Sequence, residues 1–301
     1  MTFRIASTVS EVVDALAAGA RPIAGGSDLV VGARQRNGAL PDDLVAIDRV
    51  PDLAVLEATS AGLRIGATVS HDRLASDPLV ARAAAAIADG SALVGSPATR
   101  HVGTIGGNVM NASPANDTGA GLLVLGASAT LESTAGRRTL ALSQLWTGPG
   151  TTSATPSELL VELRVPEPAP RFGSAYLRLE YRRAMEIAVV GAAAAVRLSD
   201  DGMVGEVRLA LTAVAPTVIE VPVELTAGGA SGVAVSAAAD SAAEAARDLA
   251  RPITDLRASD RFRRHVVGVM ARRAVRVAAQ RASGAAVPVP ASHNFDVMEN
   301  S

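Results

Sequence analysis

The chain has 301 residues, a length for two or three domains, and with 49% apolar and 19% charged residues it can bury a sizeable core. A formal net charge of -2 sets up no strong field toward nucleic acid or an anionic membrane, and 2% aromatic residues leave few platforms for stacking bases. The absence of cysteine excludes disulfides, thiolate nucleophiles and an iron–sulfur cluster held by this chain; because all 28 cationic side chains are arginine, Schiff-base chemistry and a P-loop lysine are excluded too.

The N-terminus lacks a basic start followed by an apolar core, so no secretory signal is expected. Phe3–Ile5 reads as a strand and Ser10–Ala18 as a helix capped by Ser10 and ended by Gly19. Arg21–Ala24 is a strand leading into Gly25-Gly26, with a helix over Leu29–Arg34 beyond it. Leu44–Asp48 and Leu63–Ala67 are strands, Ser70 opens a helix, and alanine-rich Pro78–Asp89 is helical. A second glycine-rich loop, Thr104–Asp117, follows; Asp117–Leu125 is a small apolar helix or strand. Ser128–Leu131 and Arg138–Leu140 form a hairpin, Trp146–Pro156 a loop, and Leu159–Val165 a strand stopped by Pro166. The longest apolar run, Ile187–Val196, is far too short to span a bilayer.

Pro166, Pro168 and Pro170 mark a stiff linker and the main domain boundary. Residues 1–167 form the first domain, 171–281 the second and 282–301 a tail without periodicity, read as an arm or as disordered. The second domain starts with three strands, Ser174–Glu180, Ala188–Leu198 and Val204–Ala213, and ends in helices over Thr226–Ala250 and Ser259–Arg281. In the last helix Val267, Met270, Ala274, Val277 and Ala278 share one stripe, while Arg263, Arg272, Arg273 and Arg276 lie mostly elsewhere, as on a solvated or partner-facing helix.

The four histidines show no metal-ligand spacing, no G-x-S-x-G motif is present, and the dinucleotide fingerprint G-x-G-x-x-G follows no strand. What remains is the pair of glycine loops. Consecutive backbone N–H groups in glycine turns make anion nests, and Gly25-Gly26-Ser27 precedes a helix whose N-terminus favours phosphate. Two such loops suit one extended ligand with a pyrophosphate, a ribose and a flat ring, Asp117 accepting from ribose hydroxyls. A plain turn between helices is the competing reading of Thr104–Asp117 taken alone.

At these residues the chain resembles the FAD-binding (medium) subunit of molybdenum hydroxylases, the xanthine dehydrogenase and carbon monoxide dehydrogenase family. The motifs are Ala24-Gly25-Gly26-Ser27-Asp28-Leu29; Thr104-Ile105-Gly106-Gly107-Asn108 with Ala112-Ser113-Pro114-Ala115-Asn116-Asp117; and Ser174-Ala175-Tyr176-Leu177-Arg178-Leu179 with Arg183 and Ile187-Ala188 downstream. The resemblance implies an α+β fold: a two-subdomain FAD-binding domain of the vanillyl-alcohol-oxidase (PCMH) type, then a C-terminal domain with a three-stranded antiparallel sheet and a helix bundle. Carried over by position, it implies that Arg21 and Ile23, Ala24, Gly25, Gly26, Ser27, Asp28 and Leu29 hold the FAD pyrophosphate. Gly103, Thr104, Ile105, Gly106, Gly107 and Asn108 line the second loop, Asp117 binds the adenosine ribose and Leu160 packs on the isoalloxazine. Arg178 stands where the family has lysine near the flavin pyrimidine carbonyl, as a cation for reduced flavin; its planar head is not equivalent to an ammonium.

The function so implied is electron transfer, with no catalytic or metal-binding residue in this chain. Electrons would pass from two 2Fe-2S clusters of a small subunit through FAD to an acceptor, after oxidation of substrate at the molybdenum cofactor of a large subunit. The expected assembly is a dimer of heterotrimers in the cytoplasm, without nucleic acid or a membrane span. A stand-alone flavin oxidoreductase of the enolpyruvyl reductase type is the alternative; it would need a catalytic serine or cysteine and a glutamate in a substrate domain, a pattern the C-terminal half does not offer.

Overall fold

The computed structural model describes residues 2–35, 40–225 and 232–293. The first layer is a parallel sheet of β1 (Thr2–Ile5), β2 (Arg21–Ile23) and β3 (Asp43–Ala46), in the order β1-β3-β2, carrying helices α1 (Val9–Ala17) and α2 (Ser27–Gln35). Thr8, not Ser10, caps α1: its hydroxyl accepts from Glu11 N at 3.2 Å, so the cap lies two residues earlier than the sequence suggested. Val12, Val13 and Leu16 of α1 pack with Val45, Ile47, Leu159 and Val161.

The second layer is an antiparallel sheet in the order β4-β5-β10-β6-β7, built from β4 (Leu56–Thr59), β5 (Gly62–Gly66), β6 (Ser128–Ser133), β7 (Gly136–Ala141) and β10 (Leu159–Pro166). A short hairpin, β8 (Trp146–Gly148) with β9 (Thr151–Thr152), lies inside the expected 146–156 loop. Six short helices cross between β5 and β6: α3 (His71–Ser76), α4 (Pro78–Ala83), α5 (Ala85–Leu93), α6 (Pro97–Val102), α7 (Ile105–Met110) and α8 (Gly119–Val124). The expected 78–89 helix is two helices, broken where Ala84 leaves helical geometry at φ -149°. Strand β10 is central in this sheet and works on two cores at once. Leu159 and Val161 belong to the α1 cluster, Leu160, Leu163 and Val165 to the helix-covered cluster, and the register shifts between Leu160 and Glu162.

The C-terminal sheet has four antiparallel strands in sequence order, not the expected three: β11 (Phe172–Leu179), β12 (Val190–Leu198), β13 (Val204–Thr212) and a short β14 (Ile219–Val221). It is buried on both faces. Ala175, Leu177, Ala192, Ala194 and Leu209 face α9 (Val235–Leu249) and α10 (Asp260–Ala282), while Tyr176, Ala193, Ala195 and Ala210 join the core with α5 and α8. That explains the alanine run in β12. Alanine is a poor strand former, but small side chains let layers close on both sides, and packing overrides propensity. The closeness is measurable at Gly173, where an added Cβ would fall 2.2 Å from the α10 carbonyl of Ala278.

The α10 arginines are not a bare basic face. Arg263 is buried and donates to Val189 O and Asp255, Arg272 pairs with Asp240, and Arg281 reaches back to Asp89. The first six positions of the helix expected from Thr226 and the last eight of the tail lie outside the described residues. Residues 285–293 of the tail are not a loose arm: they lie back across β11 and α5. Among the described residues no helix is long and apolar enough to cross a membrane.

Candidate functional site

The two glycine loops meet. Gly25 leaves room for nothing but hydrogen, because a Cβ there would sit 1.7 Å from Val102 O and 3.1 Å from Gly103 N. Strand β2 delivers the chain to this point, Gly26 turns it with φ +68°, and α2 begins at Ser27. The first helical bond runs from Val30 N to Gly26 O at 2.9 Å. Among the described residues no protein acceptor meets the N–H groups of residues 25–29. A row of free donors at the start of a helix is the arrangement that holds an anion.

The second loop is used differently from what its composition suggested. Ile105–Met110 is the helix α7, capped by the Thr104 hydroxyl. Ile105 N donates to Val69 O (3.0 Å), Gly106 N to Ala67 O (2.9 Å), and Gly107 N to Thr104 Oγ1 (3.1 Å). These donors are spent inside the protein, so the loop is not a second anion nest. Gly106 is glycine because Ala67 lies against it, a Cβ coming within 2.6 Å of Ala67 O. Gly107 and Asn111 are exposed, as are Gly25 and Asp28 across from them. Asn111 Nδ2 donates to Asp28 Oδ1 at 3.3 Å and links the loops. Gly103 accepts from His71 N, and His71 is buried and neutral: burial, reinforced by Arg100, lowers its pKa to about 4.

From this surface a polar path runs inward. Asn108 O accepts from Asn116 Nδ2 and Asn108 Oδ1 from Thr118 Oγ1, while Asn116 Oδ1 caps α8 through Gly119 N (2.8 Å). The Pro114 carbonyl takes donors from Thr212 and Ala213 at the end of β13, pinning this turn to the C-terminal sheet. Ala112, just before it, is held at φ +49°, a strained value for alanine.

Asp117 lies next, 7% exposed. Its Oδ1 accepts from the Tyr176 hydroxyl (2.8 Å) and its Oδ2 from Arg178 Nη1 (2.6 Å). Arg178 Nε donates to Glu180 Oε2 at 2.8 Å, Nη2 contacts the same oxygen, and the Arg178 side chain is fully buried. Burial works against the guanidinium charge, but Asp117 and Glu180 on either side raise its pKa and keep it charged. Burial pushes the Asp117 carboxyl up, opposed by Arg178 and Tyr176; burial and the Asp117 charge push the Tyr176 phenol far up. Arg178 is therefore not an uncompensated cation: two carboxylates already share it. Leu160 is 3% exposed and belongs to the core with Ile105 and Val109, so only a margin of it can meet a ring.

Arg21 is exposed, and among the described residues it has no ion-pair partner. Ile23, Ala24, Ser27 and Leu29 are half-buried beside the first loop. Sequence reasoning missed Asp89, Glu180, Arg281 and His293, which hold this network from behind; nothing in their local spacing marks them. Two cavities, about 370 and 480 Å3, lie elsewhere, one among Arg247, Arg251 and Arg264, the other beside β1, and neither contains a predicted site residue.

Comparison with known proteins agrees with this layout. Residues 1–168 match the family model for the FAD binding domain in molybdopterin dehydrogenase, and residues 175–278 that for the CO dehydrogenase flavoprotein C-terminal domain. The xanthine dehydrogenase FAD-binding subunit of Escherichia coli O157:H7 is 30% identical over 94% of this chain and 97% of its own length. The carbon monoxide dehydrogenase medium chain of Afipia carboxidovorans is 34% identical over 87% of this chain and 90% of its own. Among solved structures, a carbon monoxide dehydrogenase from Hydrogenophaga pseudoflava superposes with a TM-score of 0.85 at 30% identity, covering 93% of this chain and 98% of that one. Quinoline 2-oxidoreductase from Pseudomonas putida 86 gives 0.85 at 28% identity, covering 94% and 98%. These relatives are subunits of dehydrogenase and oxidoreductase complexes, and the stand-alone reductase alternative finds no support among them. The chain is an FAD-binding, medium subunit of the molybdenum hydroxylase family.

Proposed function

We propose that this chain holds FAD across the surface shared by its two glycine loops and relays electrons from 2Fe-2S clusters on a small partner subunit to an external acceptor. Substrate oxidation belongs to a molybdenum cofactor on a large partner. The observation that carries the assignment is the row of unmet N–H groups at residues 25–29, fixed by the Gly25–Val102 contact. It fits a pyrophosphate, and Arg21 adds a cation on the strand leading into it. Bound FAD supplies a carrier that takes up electrons from the clusters and releases them to the acceptor.

The chain's own residues bind and orient. Gly107, Asn108 and Leu29 form walls, with Gly103, Thr104, Ile105 and Gly106 packed behind them, Ile23 and Ala24 support the first turn from below, and Asp117 offers its remaining lone pairs to ribose hydroxyls. Arg178 fixes the orientation of Asp117, and Leu160 contributes its exposed margin under the ring. No acid or base of this chain is required. With no cysteine, the chain leaves cluster ligation to its partners. The domain division at 167 and 171 and a dimer of heterotrimers in the cytoplasm complete the reading.

A visible spectrum of the purified chain tests it: flavin absorbance, or its appearance on adding FAD, is expected, and neither appearing would remove the assignment. Co-purification of the two partners tests the complex. For Asp117 the informative variant is Asp117→Asn. Asp117→Ala would leave the buried Arg178 with Glu180 as its one carboxylate partner, and loss of flavin would then not isolate the ribose contact.

A further inference from the structure

We propose that Ser292 and His293, near the end of the described chain, are positioning residues for the FAD site, acting through the Arg178–Asp117 pair. The inference rests on the FAD assignment above. After α10 the chain turns back, and residues 287–293 cross behind β11. Three contacts pin it. Arg281 makes a two-point bridge to Asp89, Nη1 to Oδ2 at 2.6 Å and Nη2 to Oδ1 at 3.0 Å. Ala291 N donates to the same Asp89 Oδ1 at 2.9 Å. Ser292 Oγ accepts from Arg178 N (3.2 Å) and donates to Arg178 O (3.0 Å), so one hydroxyl holds both backbone groups of the residue whose side chain grips Asp117.

His293 completes the set: Nε2 donates to Glu180 Oε1 at 2.7 Å. The other oxygen of Glu180 carries the Arg178 guanidinium, whose remaining end carries Asp117. The order is His293, Glu180, Arg178, Asp117, with no gap. An arginine has more ways to turn than this site can use, and a planar head locked at both ends loses them. Without His293, Glu180 keeps one anchor instead of two. Without Ser292, the backbone of Arg178 loses its outer partner. In both cases the Asp117 carboxylate is aimed less tightly, although neither residue borders the glycine loops.

The test uses the full chain in its complex, with His293→Ala, His293→Gln, Ser292→Ala, Asp117→Asn and Arg178→Gln. Two quantities are read: the FAD dissociation constant, and the flavin midpoint potential by spectroelectrochemical titration. His293→Ala and Ser292→Ala should each weaken FAD binding about tenfold, the usual effect of losing a hydrogen bond to a charged or fixed group. They should shift the potential in the same direction as Arg178→Gln. His293→Gln, which keeps an N–H donor where Nε2 stands, should restore most of both. Lowered melting temperature with unchanged affinity and potential in His293→Ala and Ser292→Ala would overturn the inference while the FAD assignment stands, provided Asp117→Asn and Arg178→Gln do alter FAD binding. Unchanged FAD binding in those two variants as well would remove the assignment of Asp117 and Arg178 on which the inference depends.

Discussion

Replacing Gly25 by alanine tests whether the two glycine loops form one site. The new Cβ would lie 1.7 Å from Val102 O and 2.4 Å from Val102 C. Both neighbours are backbone, so no side chain can swing aside, and the loops must part by more than about 1 Å to reach even the closest tolerable contact. Overpacking of this kind costs about 1–3 kcal/mol, which urea unfolding of the FAD-free chain would read as a lower midpoint. The displacement falls on the segment that offers N–H groups 25–29, so FAD affinity should fall by at least about tenfold beyond the loss of stability. Gly32→Ala, on the same helix α2, is the matched control, with nothing within 4 Å of its added methyl. Wild-type FAD affinity and stability in Gly25→Ala would refute both the contact and the cradle built on it.

Further outcomes follow from the same geometry. Gly32→Ala itself should stabilise the chain by about 0.5–1 kcal/mol, since glycine in a helix interior is entropically costly, with FAD content unchanged by spectrum. Arg281→Ala leaves the fully buried Asp89 without its counter-ion and should cost about 3 kcal/mol in chemical denaturation. His71 has a folded-state pKa of about 4 against 6.5 for the free side chain, so the unfolded chain takes up its proton first as pH falls. Its contribution is intact above about pH 6.5 and is lost on acidification toward pH 4; between pH 8 and 5 the chain should lose about 2 kcal/mol that a His71→Gln variant does not lose. Equal pH slopes for the two proteins would show that His71 is not buried neutral.

Part of this site was legible in the sequence because adjacency carried it. Gly25-Gly26 before a helix and Gly106-Gly107 after a threonine are local signals, and the Tyr176–Arg178 motif is contiguous. Backbone accounting was not legible: both loops contain a Gly-Gly pair, but only the tertiary neighbours Val69 and Ala67 decide that one row of N–H groups is spent and the other left open. Arg178 shows the same limit. Its position suggested a cation for reduced flavin, while its compensation by Glu180 and Asp117 depends on how a two-residue step along the chain and a contact across 61 residues converge. The alanines of β12 read as a generic apolar run because burial on both faces cannot be seen from one strand. The fourth strand, β14, is only three residues long and presents too little alternation to detect.

Strand β11 is the outer strand of its sheet, and outer strands ordinarily present a row of unpaired backbone groups that can recruit another chain. Here four groups of that row are taken by side chains: Ser174 O by Arg281, Tyr176 N by Asp89, and both groups of Arg178 by Ser292. The closure uses side chains rather than another strand, so it leaves no continuous ladder for a neighbour to extend. A subunit approaching this side must therefore recognise the side-chain relief of the surface. Strand addition is blocked at these positions, and copies of this chain have no continuous edge at β11 through which to zip together.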